Sequence, residues 1–133
     1  VTMEGFDIDG FIMPGHVSVI IGSEAYSFLP DEYGIPCAVA GFEAADILQA
    51  ILRIIEMKEE EPAVSIEYSR AVRPQGNPKA LEIMDRVFEP QDAEWRGIGT
   101  IPGSGLGLRE DFGGHDAGAW EVEVPPAETR TTR

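Results

Sequence analysis

The stretch IPCAVAGFEAADILQAILRIIEMK, residues 35–58, sets a strand directly before a helix. IPCAVAG (35–41) is a short apolar run bounded by Gly34 and Gly41, which is how a buried strand reads. From about Ala44 to Lys58, the residues Ile47, Leu48, Ile51, Leu52, Ile54 and Ile55 recur at helical spacing. That stripe is expected to face the core. The charged run KEEEP follows; acidic residues close a helix poorly, since its C-terminal end favours cations, so fraying is expected there.

Upstream, Ile8 to Met13 reads as a second buried strand, ending at Pro14-Gly15. His16 to Leu29 reads as helix, broken near Gly22-Ser23. Ser23 is the expected N-cap of the second piece, EAYSFL, with Pro30 and Gly34 ending it. The β-branched run Val17, Val19, Ile20 and Ile21 leaves a strand as the competing reading. Downstream, VSIEYSRAV (64–72) alternates as a strand does. Asn77 as N-cap and Pro78 at the first helical position open a further helix, with Leu81, Met84, Val87 and Phe88 as its buried face and Pro90 beyond its end. WRGIGTIPGSGLGL (95–108) reads as strand, turn at Pro102-Gly103, strand. The alternation of β and α units predicts an α/β fold: a largely parallel open sheet with covering helices, Rossmann-like and three-layered, plus a C-terminal β-hairpin. The expected α/β domain covers residues 1–117, and the Gly-, Pro-, Thr- and Glu-rich residues 118–133 read as a flexible tail.

The 133 residues, 43% of them hydrophobic, suffice for one domain with a real core. The net charge of −14 repels phosphate backbones, so nucleic acid is an unexpected partner. No apolar run is long enough to span a membrane, and the opening VTMEGFDIDG lacks the basic and apolar regions of a signal peptide. These features predict a cytoplasmic protein without membrane contact. Cys37 is the only cysteine, which excludes an internal disulfide and a CxxC pair. In mid-strand it reads as a small buried hydrophobe, with a reactive thiol as the alternative.

The two strand-to-helix junctions carry the candidate chemistry. Ligands of open parallel sheets gather outside the carboxyl ends of the strands. Met13-Pro14-Gly15-His16-Val17-Ser18 is one such end and Ala40-Gly41-Phe42-Glu43 the next. If the strands are neighbours, His16, Ser18 and Glu43 share one sheet edge, with free backbone N–H groups beside them. His16 can donate, accept or ligate near neutral pH, and Glu43 could hold its tautomer or charge. The alternative is that Ser18 and Glu43 only cap helices and His16 bonds a carbonyl. Trp95-Arg96 could clamp a partner or simply pack the hairpin. The glycines of GIGTIPGSGLG lack the following helix of a nucleotide loop, and His16, His115 and Cys37 lack zinc-like spacing, so no metal site is expected.

PGHVSVIIG (14–22) matches the PGHVSxxxG motif of HypD-type nickel–iron hydrogenase maturation proteins. YGIPCAVAGFEAADILQAI (33–51), EYSRAVRPQGNPKAL (67–81) and VFEPQDAEWRGIGTIPGSGLGLREDF (87–112) resemble further segments of that family, in order, from about Asp9 to about Asp116. The departures are definite. The family's CGGHTH-like and GPGCPVC-like cysteine motifs and its iron–sulfur cysteines are missing, Ala44 replaces the proline usual after GFE, and the tail does not resemble the cluster domain.

The resemblance implies a scaffold for the Fe(CN)2CO unit of the hydrogenase, acting with a HypC-type chaperone and a cyanide-supplying HypE-type protein. It implies His16 and Glu43 as the acting residues, with Gly15, Ser18 and Gly41 lining the cleft. For full-length relatives it implies an iron precursor and a four-iron four-sulfur cluster; for this chain alone, no cofactor and no independent turnover. A reading from another class is a free-standing α/β enzyme or small-anion-binding domain that uses His16 and Glu43.

Overall fold

The computed structural model describes residues 7–120. They fall into two compact units that divide between Met84 and Asp85.

The first unit is built on three parallel strands, β1 (Phe11–Pro14), β2 (Cys37–Ala40) and β3 (Val64–Ile66), in the order β1-β2-β3. Phe11 to Pro14 pair with Cys37 to Ala40, and Cys37 to Val39 pair with Val64 to Ile66. β2 is therefore the central strand, and all four of its residues are buried. Burial on both faces is what a continuous apolar run in a parallel sheet requires, with helices covering the sheet. This is the α/β architecture expected from the sequence.

α1 (Gly15–Ile21) leaves β1, a 3-10 turn (Glu24–Tyr26) follows, and α2 (Phe28–Tyr33) leads to β2. The helical reading of 16–29 thus holds for its first part, but its second piece differs. EAYSFL is not one helix: Ser23 makes no side-chain cap, and α2 begins only at Phe28 and runs through Pro30. Pro30 fits because it lies in the first turn, where its missing N–H would have no intrahelical partner. Gly34 ends α2 in the left-handed conformation, its N–H bonded to the carbonyls of Leu29 and Pro30.

α3 (Ala44–Glu59) connects β2 to β3, close to its expected bounds. Its packing corrects the expectation for the isoleucine stripe. Ala50 packs on Ala38 and Ala40, with Ile54 beside them, and Asp46 and Met57 are also buried. Ile47, Leu48, Ile51, Leu52 and Ile55 are between 37% and 67% exposed. Alanine on alanine lets the helix axis approach the sheet closely, so the alanine side of α3 turns inward. Near the end of α3, Lys58 pairs with Asp9.

β3 is shorter than the strand expected over 64–72. The backbone turns after Glu67, and the N–H groups of Ala71 and Val72 both bond the Tyr68 carbonyl. The loop that follows lies flush against the end of α1: Asn77 N–H bonds the Ile20 carbonyl at 2.9 Å and Glu24 N–H bonds the Pro74 carbonyl at 3.1 Å. Gly22 and Gly76 meet there, with φ of 81° and 69°, and a Cβ on either would strike the other segment's backbone. α4 (Pro78–Val87) starts as predicted, with Asn77 Oδ1 accepting from Ala80 N–H.

In the second unit, β4 (Phe88–Trp95) and β5 (Gly99–Leu108) form an antiparallel ribbon. The expected hairpin exists, but its turn lies at Arg96–Ile98 rather than at Pro102-Gly103. Gly97 and Gly99 supply φ of 80° and 94°, and Ile98 N–H bonds the Trp95 carbonyl. Pro102-Gly103 instead falls in β5 near a register shift between Gln91 and Ala93, where Gly103 N–H bonds Asp92 Oδ1. The FEPQDAEW segment forms the first strand because a two-stranded ribbon has only edges, which tolerate Pro90. Two 3-10 turns follow, Glu110–His115 and Ala117–Ala119. Most of the expected tail, residues 121–133, lies outside the described residues. Among the described residues no helix is long and apolar enough to cross a membrane.

Candidate functional site

The register pairs Pro14 with Ala40, so β1 and β2 end side by side. Gly15-His16 leaves one end and Gly41-Phe42-Glu43 leaves the other. The His16 and Phe42 rings face each other with centroids 5.2 Å apart and planes tilted by 33°. His16, Phe42 and Glu43 are all exposed. A hollow of about 280 Å³ opens beside them, lined by Met13, Pro14, Ala40, Gly41, Phe42 and Ile47 among others. A larger depression of about 380 Å³ lies at the amino ends of the strands, around Asp9, Tyr33, Pro36 and Lys58, and contains none of the expected residues.

Gly15 and Gly41 are buried for a specific reason. A Cβ on Gly15 would lie 2.7 Å from Tyr68 Cδ1 and 2.5 Å from the Ala40 carbonyl oxygen. A Cβ on Gly41 would overlap Asp46 Oδ2 and lie 2.9 Å from Tyr68 Cδ2. Both junctions therefore need glycine, because the Ala40 carbonyl, the Asp46 carboxylate and the Tyr68 ring already fill the space a Cβ would take.

Glu43 is the N-cap residue of α3, but its side chain makes no capping bond. It faces Arg70 instead, with Nη2 3.5 Å from Oε1. Arg70 donates Nη1 to Asp46 Oδ1 at 2.9 Å and Nη2 to Asp46 Oδ2 at 2.7 Å, and its guanidinium sits 4.3 Å from the Tyr68 ring centroid. Hydrogen bonds from Arg70 hold the Asp46 carboxyl below its ordinary value, against the opposing effect of burial; the Arg70 charge and the Glu43 backbone N–H add to the lowering. The same pair raises the Arg70 pKa.

Ser18 lies inside α1, fully buried, and its hydroxyl donates to the Pro14 carbonyl at 2.8 Å and lies 3.0 Å from Tyr26 Oη. It is brought to the same junction as His16 but beneath the surface. Cys37 is fully buried in β2, with its thiol pushed up to about 11 by burial. Trp95 and Arg96 belong to the second unit, where Trp95 Nε1 donates to Ser104 Oγ at 2.7 Å.

Asp46, Tyr68 and Arg70 are the residues the sequence reading did not single out. Asp46 lies in the segment 33–51 that resembles the family's GFEP-D pattern, but its inward position was hidden because the isoleucine side of α3 was expected to face the core. Tyr68 and Arg70 lie in the segment 67–81 that resembles the family's tyrosine–arginine segment, but the strand reading of 64–72 extended past the turn that swings Arg70 back to α3 and so gave them no place at the site.

Residues 1–132 match the HypD family, described as the hydrogenase formation hypA family. The chain belongs to the HypD family. It is 46% identical over 112 residues to the hydrogenase maturation factor HypD of Azotobacter vinelandii, covering 83% of this chain and 30% of that protein. It is 46% identical over 107 residues to the hydrogenase expression/formation protein HupD of Azotobacter chroococcum, with 79% and 28% covered. The HypD of Cupriavidus necator is 42% identical over 112 residues, with 83% and 30% covered. The chain thus spans about 30% of the length of these HypD relatives. A four-iron four-sulfur cluster takes four thiolate ligands. This chain has one cysteine, buried and with a raised pKa, so its residues do not fit that group.

Proposed function

We propose that this chain is one α/β domain of a hydrogenase maturation scaffold, on which the Fe(CN)2CO unit is assembled with a HypC-type chaperone and a HypE-type protein. The observation that carries this reading is the convergence of His16 and Glu43 at the ends of two paired parallel strands, each in a segment that resembles a HypD motif.

The chemistry of these groups suits the task. A cyanide ligand presents a nitrogen that accepts a hydrogen bond, and a His16 ring N–H can donate to it. Glu43, an acceptor when ionised, orients a donor beside the ligand, and Arg70 Nη2 already lies 3.5 Å from its Oε1. Phe42 and the apolar hollow next to it give the site one apolar side. Thiol and electron-transfer steps fall to other parts of the machinery, since Cys37 is buried and its thiol is protonated at neutral pH. The iron unit is cargo in this reading, not a resident cofactor.

The test uses an intact relative, the Azotobacter vinelandii HypD, in cells lacking their own copy. Replacing the histidine that matches His16 by alanine is expected to abolish hydrogenase activity while the protein accumulates normally. Full hydrogenase activity would remove His16 from the assigned role.

A further inference from the structure

We infer that Tyr68 and Arg70 are positioning residues that fix how His16 and Glu43 are presented. The inference rests on the reading of those two residues as the site, but its geometry can be tested without it.

The Tyr68 ring touches both junctions at once. Its Cδ1 edge fills the space where a Gly15 Cβ would be, and its Cδ2 and Cε2 edge fills the corresponding space at Gly41, at 2.9 and 3.0 Å. Gly15 immediately precedes His16, and Gly41 lies two residues before Glu43. The sheet pairing brings the two strand ends together, and one planar side chain packs against both glycines through which the chain leaves them, which bears on how His16 and Glu43 are presented. The ring is itself held from its face by the Arg70 guanidinium at 4.3 Å. Arg70 is fixed in turn by both oxygens of Asp46, a buried residue in the first turn of α3, and it reaches Glu43 with the same Nη2 that bonds Asp46.

Planarity explains why these residue types are used. A guanidinium can bond a carboxylate through two parallel N–H groups and lie flat on an aromatic ring at the same time, whereas an ammonium is a point charge and cannot do both. The stack Asp46–Arg70–Tyr68 therefore has one arrangement, and the two glycine junctions are pressed against it. Sites are held to productive geometry by supporting residues of this kind, and a small misplacement at a distance is felt at the reacting groups.

The direct test is nuclear magnetic resonance on the full 133-residue chain. Close approach of the His16 and Phe42 rings gives a cross-relaxation signal between them. The signal is expected to vanish in Arg70→Gln and Tyr68→Leu, to persist in Tyr68→Phe, and to stay weak in Arg70→Lys. Circular dichroism reports separately that each variant is folded. An unchanged signal in folded Arg70→Gln overturns the inference; if that variant does not fold, an unchanged signal in Arg70→Lys does so. In the intact relative, the match of Arg70→Gln is expected to lower the infrared cyanide signal of the carried iron about tenfold or more. Full signal there, with loss in the match of His16→Ala, overturns the positioning role alone. Full signal in the matches of both His16→Ala and Glu43→Gln removes the functional reading and leaves the ring measurement to decide the geometry.

Discussion

Arg70 grips Asp46 with two hydrogen bonds, Nη1 to Oδ1 at 2.9 Å and Nη2 to Oδ2 at 2.7 Å. The grip joins the turn after β3 to the first turn of α3, and it has a consequence for acid stability. The Asp46 pKa is lowered in the folded chain, chiefly by these bonds, so the unfolded chain binds more protons at this position as pH falls. The stability it contributes is complete above the ordinary carboxylate value and is lost as pH drops through the folded value. Urea unfolding followed below about pH 4 is expected to show a shallower loss of stability in Asp46→Asn than in the parent. Parallel pH profiles for the two proteins would contradict this role for Asp46.

The meeting of Gly22 and Gly76 predicts two sensitive positions. Both have positive φ, and a Cβ on either would overlap opposing backbone, which cannot move aside as a flexible side chain can. Gly22→Ala and Gly76→Ala are each expected to cost about 3 kcal/mol or more. Gly34 also has positive φ, at 66°, but faces open space. Gly34→Ala is expected to cost only about 1 kcal/mol. Equal losses at Gly22 and Gly34 in chemical denaturation would show that conformation alone, and not the close approach, matters.

The packing of α3 makes the opposite prediction from its composition. Leu48, 67% exposed, is expected to tolerate replacement by serine within about 0.5 kcal/mol. Met57 is 1% exposed, and Met57→Ala is expected to cost about 2–5 kcal/mol. Ala50→Leu should also destabilise, by about 1–3 kcal/mol, because it overfills the seam against Ala38 and Ala40. Thermal unfolding of the three variants decides whether the alanine side is the inward one.

Cys37 is expected to resist modification in the native chain. Its thiol is buried within the central strand and has a pKa of about 11, so little thiolate forms and no reagent reaches it. Labelling by an aromatic disulfide reagent should be slow in buffer and immediate in denaturant. Rapid native labelling would mean that β2 is open at this position.

Much of this fold could be read from the sequence because local pattern and tertiary packing agreed. The strand expected over 35–41 appears as its central part, Cys37–Ala40, the helix expected over 44–58 appears as Ala44–Glu59, and Asn77-Pro78 opened α4 as its residues require. The readings that failed were those settled by distant partners. The periodicity of α3 marked it as a helix but could not choose between its alanine and isoleucine sides; the small residues of β2 made that choice. The hairpin turn moved from Pro102-Gly103 to the Gly97–Gly99 segment because two positive-φ glycines reverse the chain more tightly there. At the site, the neighbouring strand ends brought His16 and Glu43 to one edge as their junctions suggested. Arg70 stayed hidden because its position depends on a turn that alternation could not reveal.

The central claim is that His16 and Glu43 hold the cyanide-bearing iron unit. The most direct measurement is the infrared cyanide stretch of iron carried by the intact Azotobacter vinelandii relative, compared between the parent and the match of His16→Ala at equal protein and iron content. The account predicts a shifted or much weakened cyanide band in the variant, because a hydrogen bond to the ligand nitrogen is lost. A band of the same frequency and intensity would contradict it.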